Sequence, residues 1–185
     1  MKHATLLTAV IFALGALSSR PAPSQAASAA EMDRAAKSAL NTLYANNAKA
    51  QLVGKKAKAV LVFPRIIKGG LMVGGQHGDG ALLVNGKTVG YYNTVGASYG
   101  FQAGIQKFGY AMFFMTDAAL DYLHKSDGFE VGSAPSLVVV DTGIAKSLST
   151  TTLKKGIYVF FFSQKGLMGG LGLQGTKITQ YTPSE

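Results

Sequence analysis

Five residues, Gly96-Ala97-Ser98-Tyr99-Gly100, carry the spacing of a nucleophile elbow, in which a serine attacks an acyl carbon. That motif works only where a strand turns sharply into a helix and lifts the hydroxyl clear of the sheet. The residues that follow, FQAGIQKFGYAMFF, are glycine-rich and strand-like, and the candidate base His124 comes too soon for the hydrolase order. Ser98 therefore reads as a small packing residue. The run GLGLQG, Gly170 to Gly175, matches a dinucleotide fingerprint letter for letter. A fingerprint needs a helix opening at its glycines, whereas TKITQYT, which follows here, has the composition of a strand. Asp117, Asp121 and His124 fall on one face of a short helix, and His77 and Asp79 lie in a separate hairpin. Neither group closes a ligand shell, so both read as solvated charge. With no cysteine and no convincing carboxylate pair, the acids, bases and nucleophiles of an enzyme are missing. No catalytic residue, no metal and no cofactor is expected.

What remains is charge. Eighteen basic residues face nine acidic ones, a net +9, although charged residues make up only 15% of the chain. A sparse but one-signed surface favours anionic partners. The basic residues gather: Lys49, Lys55, Lys56 and Lys58 lie close together, Arg65 and Lys68 follow shortly after, and Lys154-Lys155 forms a lesser pair. Lysines that only keep the protein soluble are the alternative reading.

The N-terminus selects among anionic partners. Lys2 and His3 precede an apolar run from Ala4 to Leu17, then Ser18, Ser19, Arg20 and PAPSQAASAA. A positive start, an apolar core and small residues at −3 and −1 (here Ser24 and Ala26) make a secretory leader. Residues 1–26 are expected to be removed, leaving a chain of about +7. Fourteen residues rise only about 21 Å as a helix, short of a roughly 30 Å hydrocarbon core. The protein is thus expected in the periplasm or cell envelope, peripheral to a membrane. There, membrane surface becomes a stronger partner than nucleic acid.

The elements that position the lysines can be read in outline. Ala36, Leu40, Leu43, Tyr44, Ala48 and Leu52 recur at helical spacing, predicting one amphipathic helix from Glu31 to about Val53, with Gly54 as its stop. Residues 27–57 are this helix and its junction, and 58–182 form a glycine-rich β core of the same domain. In that core AVLVF, GLMVGG, ALLV, TVGYYN, YAMFFM, SLVVVD and IYVFFFS have strand length and composition. Asn85-Gly86 is the strongest hairpin turn, and Thr116 caps a short helix, AALDYLH. Twelve glycines from Gly69 to Gly109 imply bulges and close strand crossing. The expected fold is α+β: a long N-terminal helix with a mainly antiparallel, strongly coiled or barrel-like sheet.

Four segments carry a family likeness: VLVFPRIIKGGLMVGGQHGDGALL (60–83), GASYGFQAGIQKFGYAMFFMT (96–116), SLVVVDTGIAKSLSTTTL (136–153) and QKGLMGGLGLQGTKIT (164–179). Together they closely resemble the SYLF-domain family in its bacterial exported branch, from about Ala35 to Ile178. The specific marks are Phe-Pro after a hydrophobic strand, the G-x-Q-x-G around Gln102, and the K-G-L-M-x-G-L-x-L-x-G ending. The family often has a tryptophan and a nearby proline where this chain has Tyr91-Tyr92. In eukaryotes it is associated with phosphoinositide and membrane binding, and with actin when joined to other domains. The resemblance thus implies binding to an anionic phospholipid surface, with phosphatidylglycerol or cardiolipin the natural ligands in a bacterial envelope. On that reading Lys49, Lys55, Lys56, Lys58, Arg65 and Lys68 meet headgroups, while Leu40, Leu43, Tyr44 and Leu52 insert into lipid. A self-assembling envelope protein, a possible homo-oligomer joined through its glycine- and aromatic-rich strands, is the second reading.

Overall fold

The computed structural model describes residues 28–125, 129–130, 136–141, 145–146, 148–149, 153, 156–165 and 175–183; 71–73, 98–103, 125, 129–130 and 165 are described by their backbone alone. The domain is α+β, with three helices and a strongly curled mixed sheet among these residues.

The N-terminal helix is broken in two. Helix α1 spans Ala29–Asn46 and α2 spans Ala48–Gly54. Ser28 caps α1 through a capping box: its hydroxyl accepts from the Glu31 N–H, and the Glu31 carboxylate accepts from the Ser28 N–H. One continuous helix was expected, but Asn47 leaves the helical region at φ −143°, ψ 95°. Its side-chain Oδ1 accepts from the N–H groups of Lys49 and Ala50 at 3.0 and 2.9 Å. Asparagine competes with the helix by capping the next one, so the apolar period runs on while the backbone does not. Gly54 ends α2, as its position implies.

The expected short strands are fused. Strand β1 runs Ala59–Val84 and β2 runs Lys87–Phe114, paired antiparallel along nearly their whole length. Asn85 and Gly86 close the hairpin with φ of 50° and 77°, the left-handed pair that a type I′ turn requires. Glycines expected to separate strands are absorbed within them, with register shifts at Phe63/Ile66, Gly70/Met72 and Leu82/Leu83. A straight strand of 26 residues would extend about 86 Å, far beyond a domain of this size. The ribbon therefore folds over. Where the first half of β1 crosses its second half, Gly78 and Gly80 lie beneath the carbonyls of Arg65 and Val62.

The far edge of β2 is shared. Strand β5 (Ile157–Lys165) pairs with residues 107–114, and β6 (Thr176–Tyr181) with residues 91–96. Strand β3 (Phe129–Glu130) adds to β6, and β4 (Leu137–Val139) joins β5 in parallel. Helix α3 (Asp117–Lys125) follows β2, with the Thr116 hydroxyl accepting from the Ala119 N–H as expected.

Both faces of the sheet are buried near its base. Leu61, Phe63, Ile66, Tyr110, Met112, Phe114, Ile157 and Val159 point inward, joined by Ala119 and Leu123 of α3. Val60, Val62, Ala81, Leu83, Ala111, Phe113, Tyr158 and Phe160 point outward, where Met32, Ala36, Leu43, Ala50 and Val53 cover them. Double burial is why AVLVF and YAMFFM read as continuous apolar runs rather than alternating ones. Tyr110 is fully buried and donates to the Thr94 hydroxyl at 3.0 Å; burial raises its phenol well above the ordinary tyrosine value.

Candidate functional site: a lysine cleft

Between α1, the end of α2 and the β1–β2 turn lies an open cleft of about 440 Å³. Three lysines, Lys37, Lys55 and Lys58, stand around it with Asn41 and Asn85, over a floor that includes Leu40, Tyr44, Val60 and Leu83. Its architecture follows from local sequence. Gly54 supplies no Cβ, and an added one would collide with the Tyr44 phenol. Tyr44 can therefore lie flat over the end of α2, and burial there raises its phenol pKa. On the other side, the Lys58 N–H donates to the Phe114 carbonyl at 2.8 Å, fixing the start of β1 against the end of β2. The Lys58 ammonium stands 3.2 Å from Asp117, both side chains being more than half exposed. Exposed pairs of this kind contribute about 0–1 kcal/mol, so Lys58 remains available to another anion.

Of the residues expected from the sequence, Lys55, Lys58, Leu40 and Tyr44 meet in this cleft. Lys56 is exposed beside it without lining it. Others take different places. Lys49 donates from Nζ to the Leu148 carbonyl at 2.6 Å, so its ammonium ties α2 to a distant segment. Leu43 is buried against the outer face of the sheet, so this part of the expected insertion stripe packs inside the domain. Leu52 is half-buried. Arg65 sits at a bulge and lines a second cleft with Glu31, Arg34, His77 and Asp79, at the opposite end of α1. Lys68 lies farther along β1, paired with Gln106. The six basic residues thus do not form one patch.

Three polar contributors, Lys37, Asn41 and Asn85, escaped the sequence reading. Lys37 belongs to the polar side of α1, and Asn85 looked like turn chemistry alone. The i, i+4 spacing of Lys37 and Asn41, beside the i, i+4 pair Leu40 and Tyr44, was the available signal.

The motifs weighed for chemistry occupy strand, turn and helix positions where they are described. Ser98 lies within continuous β2, its backbone opposite Gly74, with no strand-to-helix turn; its side chain is outside the described residues. Residues 170–174 and Lys154-Lys155 are also outside them, and Gly175, at φ 70°, leads into a strand. Asp117, Asp121 and His124 are exposed, and His124 Nδ1 is 3.2 Å from the Tyr92 hydroxyl. His77 and Asp79 are 4.0 Å apart. Among the described residues no three potential ligands gather to hold a metal.

Comparison with known proteins adds one relationship. No curated protein matches the chain. Residues 95–184 match the family profile Ysc84, described as Las17-binding protein actin regulator. The match starts inside β2 and covers the rest of the sheet, while the lysine cleft lies on the part of the chain before it. This family, the SYLF-domain family, is associated with actin and lipid binding and is not an enzyme family. Over residues 95–184 the chain belongs to the SYLF-domain family.

Proposed function

We propose that this domain attaches peripherally to anionic membrane lipid, with Lys37, Lys55 and Lys58 on headgroup phosphates. The observation that carries the reading is the convergence of those lysines on one open cleft with amide donors and an apolar floor. Ammonium groups supply charge, Asn41 and Asn85 supply directional donors, and Leu40 and Tyr44 offer an apolar surface to the top of an acyl chain. Each lysine near an anionic surface contributes about 1 kcal/mol, enough in combination for reversible attachment. No helix among the described residues is long and apolar enough to cross a membrane.

Flotation with vesicles tests this. The purified chain should float with phosphatidylglycerol or cardiolipin vesicles and stay behind with phosphatidylcholine alone. Raising salt to about 0.5 M, where screening shortens to about 4 Å, should release it. Indifference to every anionic vesicle removes the reading.

The compartment is part of the proposal. The apolar run Ala4 to Leu17 acts as a leader, and the exported chain starts at Ala27 or within a few residues of it. N-terminal sequencing of the protein recovered from the cell envelope decides this; a chain still starting at Met1 there would contradict it.

A further inference from the structure

Away from the cleft, where the β1–β2 ribbon folds over, the sheet exposes two large apolar side chains at diagonal positions of one face. Ile105 is 71% exposed and Ile67 is 47% exposed. The register puts them on one face: Ile67 opposes Lys107, and Gly69 opposes Ile105. Directly opposed residues share a face, as do residues two apart in one strand. Gly69 has no side chain to cover its partner, and an added Cβ there would touch the Ile105 side chain at 3.8 Å. Ile105 therefore stands free because a glycine lies across from it. This is the outer face of the sheet, the one that α1 and α2 cover lower down. The helices stop short of it: the first turn of α1, with Glu31 and Met32, borders the cleft that Ile67 also lines.

We infer that the Ile67–Ile105 lip is a shallow membrane-inserting element, with Lys107 and Arg65 at headgroup level. The choice of lipid as occupant rests on the proposed function. Charge supports it over a second copy of the chain. Lys107 is exposed on the same face as the isoleucines, and Arg65, at the bulge two residues before Ile67, is exposed too. Pairing two such lips would oppose like charges, whereas an anionic surface neutralises them. The acids bordering Ile67, Glu31 and Asp79, are matched within the same cleft by Arg34 and Arg65. Apolar tips beside cations are the arrangement by which a soluble domain enters an interface without crossing it.

This lip and the lysine cleft are separate. Both ends of the ribbon line the cleft, through Lys58 and Ala59 at one end and Asn85 and Gly86 at the other, while the lip is at the fold between them. The two contacts can therefore be tested independently.

The chain has no tryptophan, so Ile105→Trp introduces a single reporter on a silent background. With vesicles of phosphatidylglycerol and phosphatidylcholine in equal parts, its emission should shift to the blue and be quenched by lipids brominated near the headgroup. Ile105→Asp should weaken vesicle binding about tenfold or more, since burying most of an isoleucine is worth about 1.5 kcal/mol. Its melting temperature should not move. If the Trp variant floats but its emission stays that of an indole in water, the lip is not inserted and the lipid reading survives without it. Blue emission before vesicles are added means the chain itself or a second copy covers the lip, and overturns the proposal. Failure of the wild-type chain to float removes both.

Discussion

Replacing Gly80 with alanine should destabilise the domain by about 3 kcal/mol, a decrease of roughly 6–12 °C in melting temperature. A Cβ at Gly80 would be 2.5 Å from the Val62 carbonyl oxygen and 2.7 Å from the Phe63 ring. Gly78 is in the same position beneath Arg65, whose carbonyl oxygen would be 2.5 Å away. A backbone carbonyl cannot rotate aside as a side chain can, so relief requires the two halves of β1 to separate. That would open the inner core at Phe63 and Ile66, both fully buried. Against a typical total stability of about 5–15 kcal/mol, the double variant Gly78→Ala, Gly80→Ala should scarcely fold. Gly75→Ala is the control. Its added Cβ would meet only the Gly96 carbonyl, at 3.8 Å, and the change should cost within about 0.5 kcal/mol. Thermal or urea unfolding monitored by circular dichroism measures all three. Equal effects at Gly75 and Gly80 would mean that the strand does not cross itself there.

The second large effect is on binding. Exchanging Lys37, Lys55 and Lys58 together for glutamine should lower affinity for anionic vesicles by up to roughly two orders of magnitude. That figure takes about 1 kcal/mol for each lysine and full additivity, which makes it an upper bound. Removing Lys58 also leaves Asp117 without its ion partner, so a negative charge is uncovered beside the cleft. Stability should change little, because Lys37, Lys55 and Lys58 are exposed. Lys49→Gln should behave in the opposite way. Its ammonium is engaged with the Leu148 carbonyl, so the variant should lose about 1–2 kcal/mol of stability while floating like wild type. Deleting α1 and α2 is not an informative alternative, since their apolar residues cover Val60, Val62, Ala111 and Phe113. Should the triple variant bind vesicles as tightly as the wild-type chain, the cleft is not the attachment site.

Much of this protein was legible in residue type and order alone. Gly54 ends the helical region, Asn85-Gly86 specifies its turn, and Thr116 caps its helix, because each acts on backbone within a few residues. The alternation of glycine with apolar runs identified a curled sheet, and the four family-like segments identified the domain. The strand count was not legible. A glycine is compatible with a break, a bulge or an uninterrupted strand, and cross-strand pairing over the full hairpin selects the last. Nor could Leu40 be told from Leu43: both lie on the apolar stripe of α1, but only the sheet beneath decides which is covered. The lysines show the same limit. Lys49 and Lys55 are six residues apart and chemically identical, yet one is spent on a carbonyl nearly a hundred positions away and the other stands at an open cleft. Local chemistry determined the elements, their caps and the sign of the charge. Only the folding of one long ribbon onto itself decided which cations gather, because burial and juxtaposition depend on residues far apart in the chain.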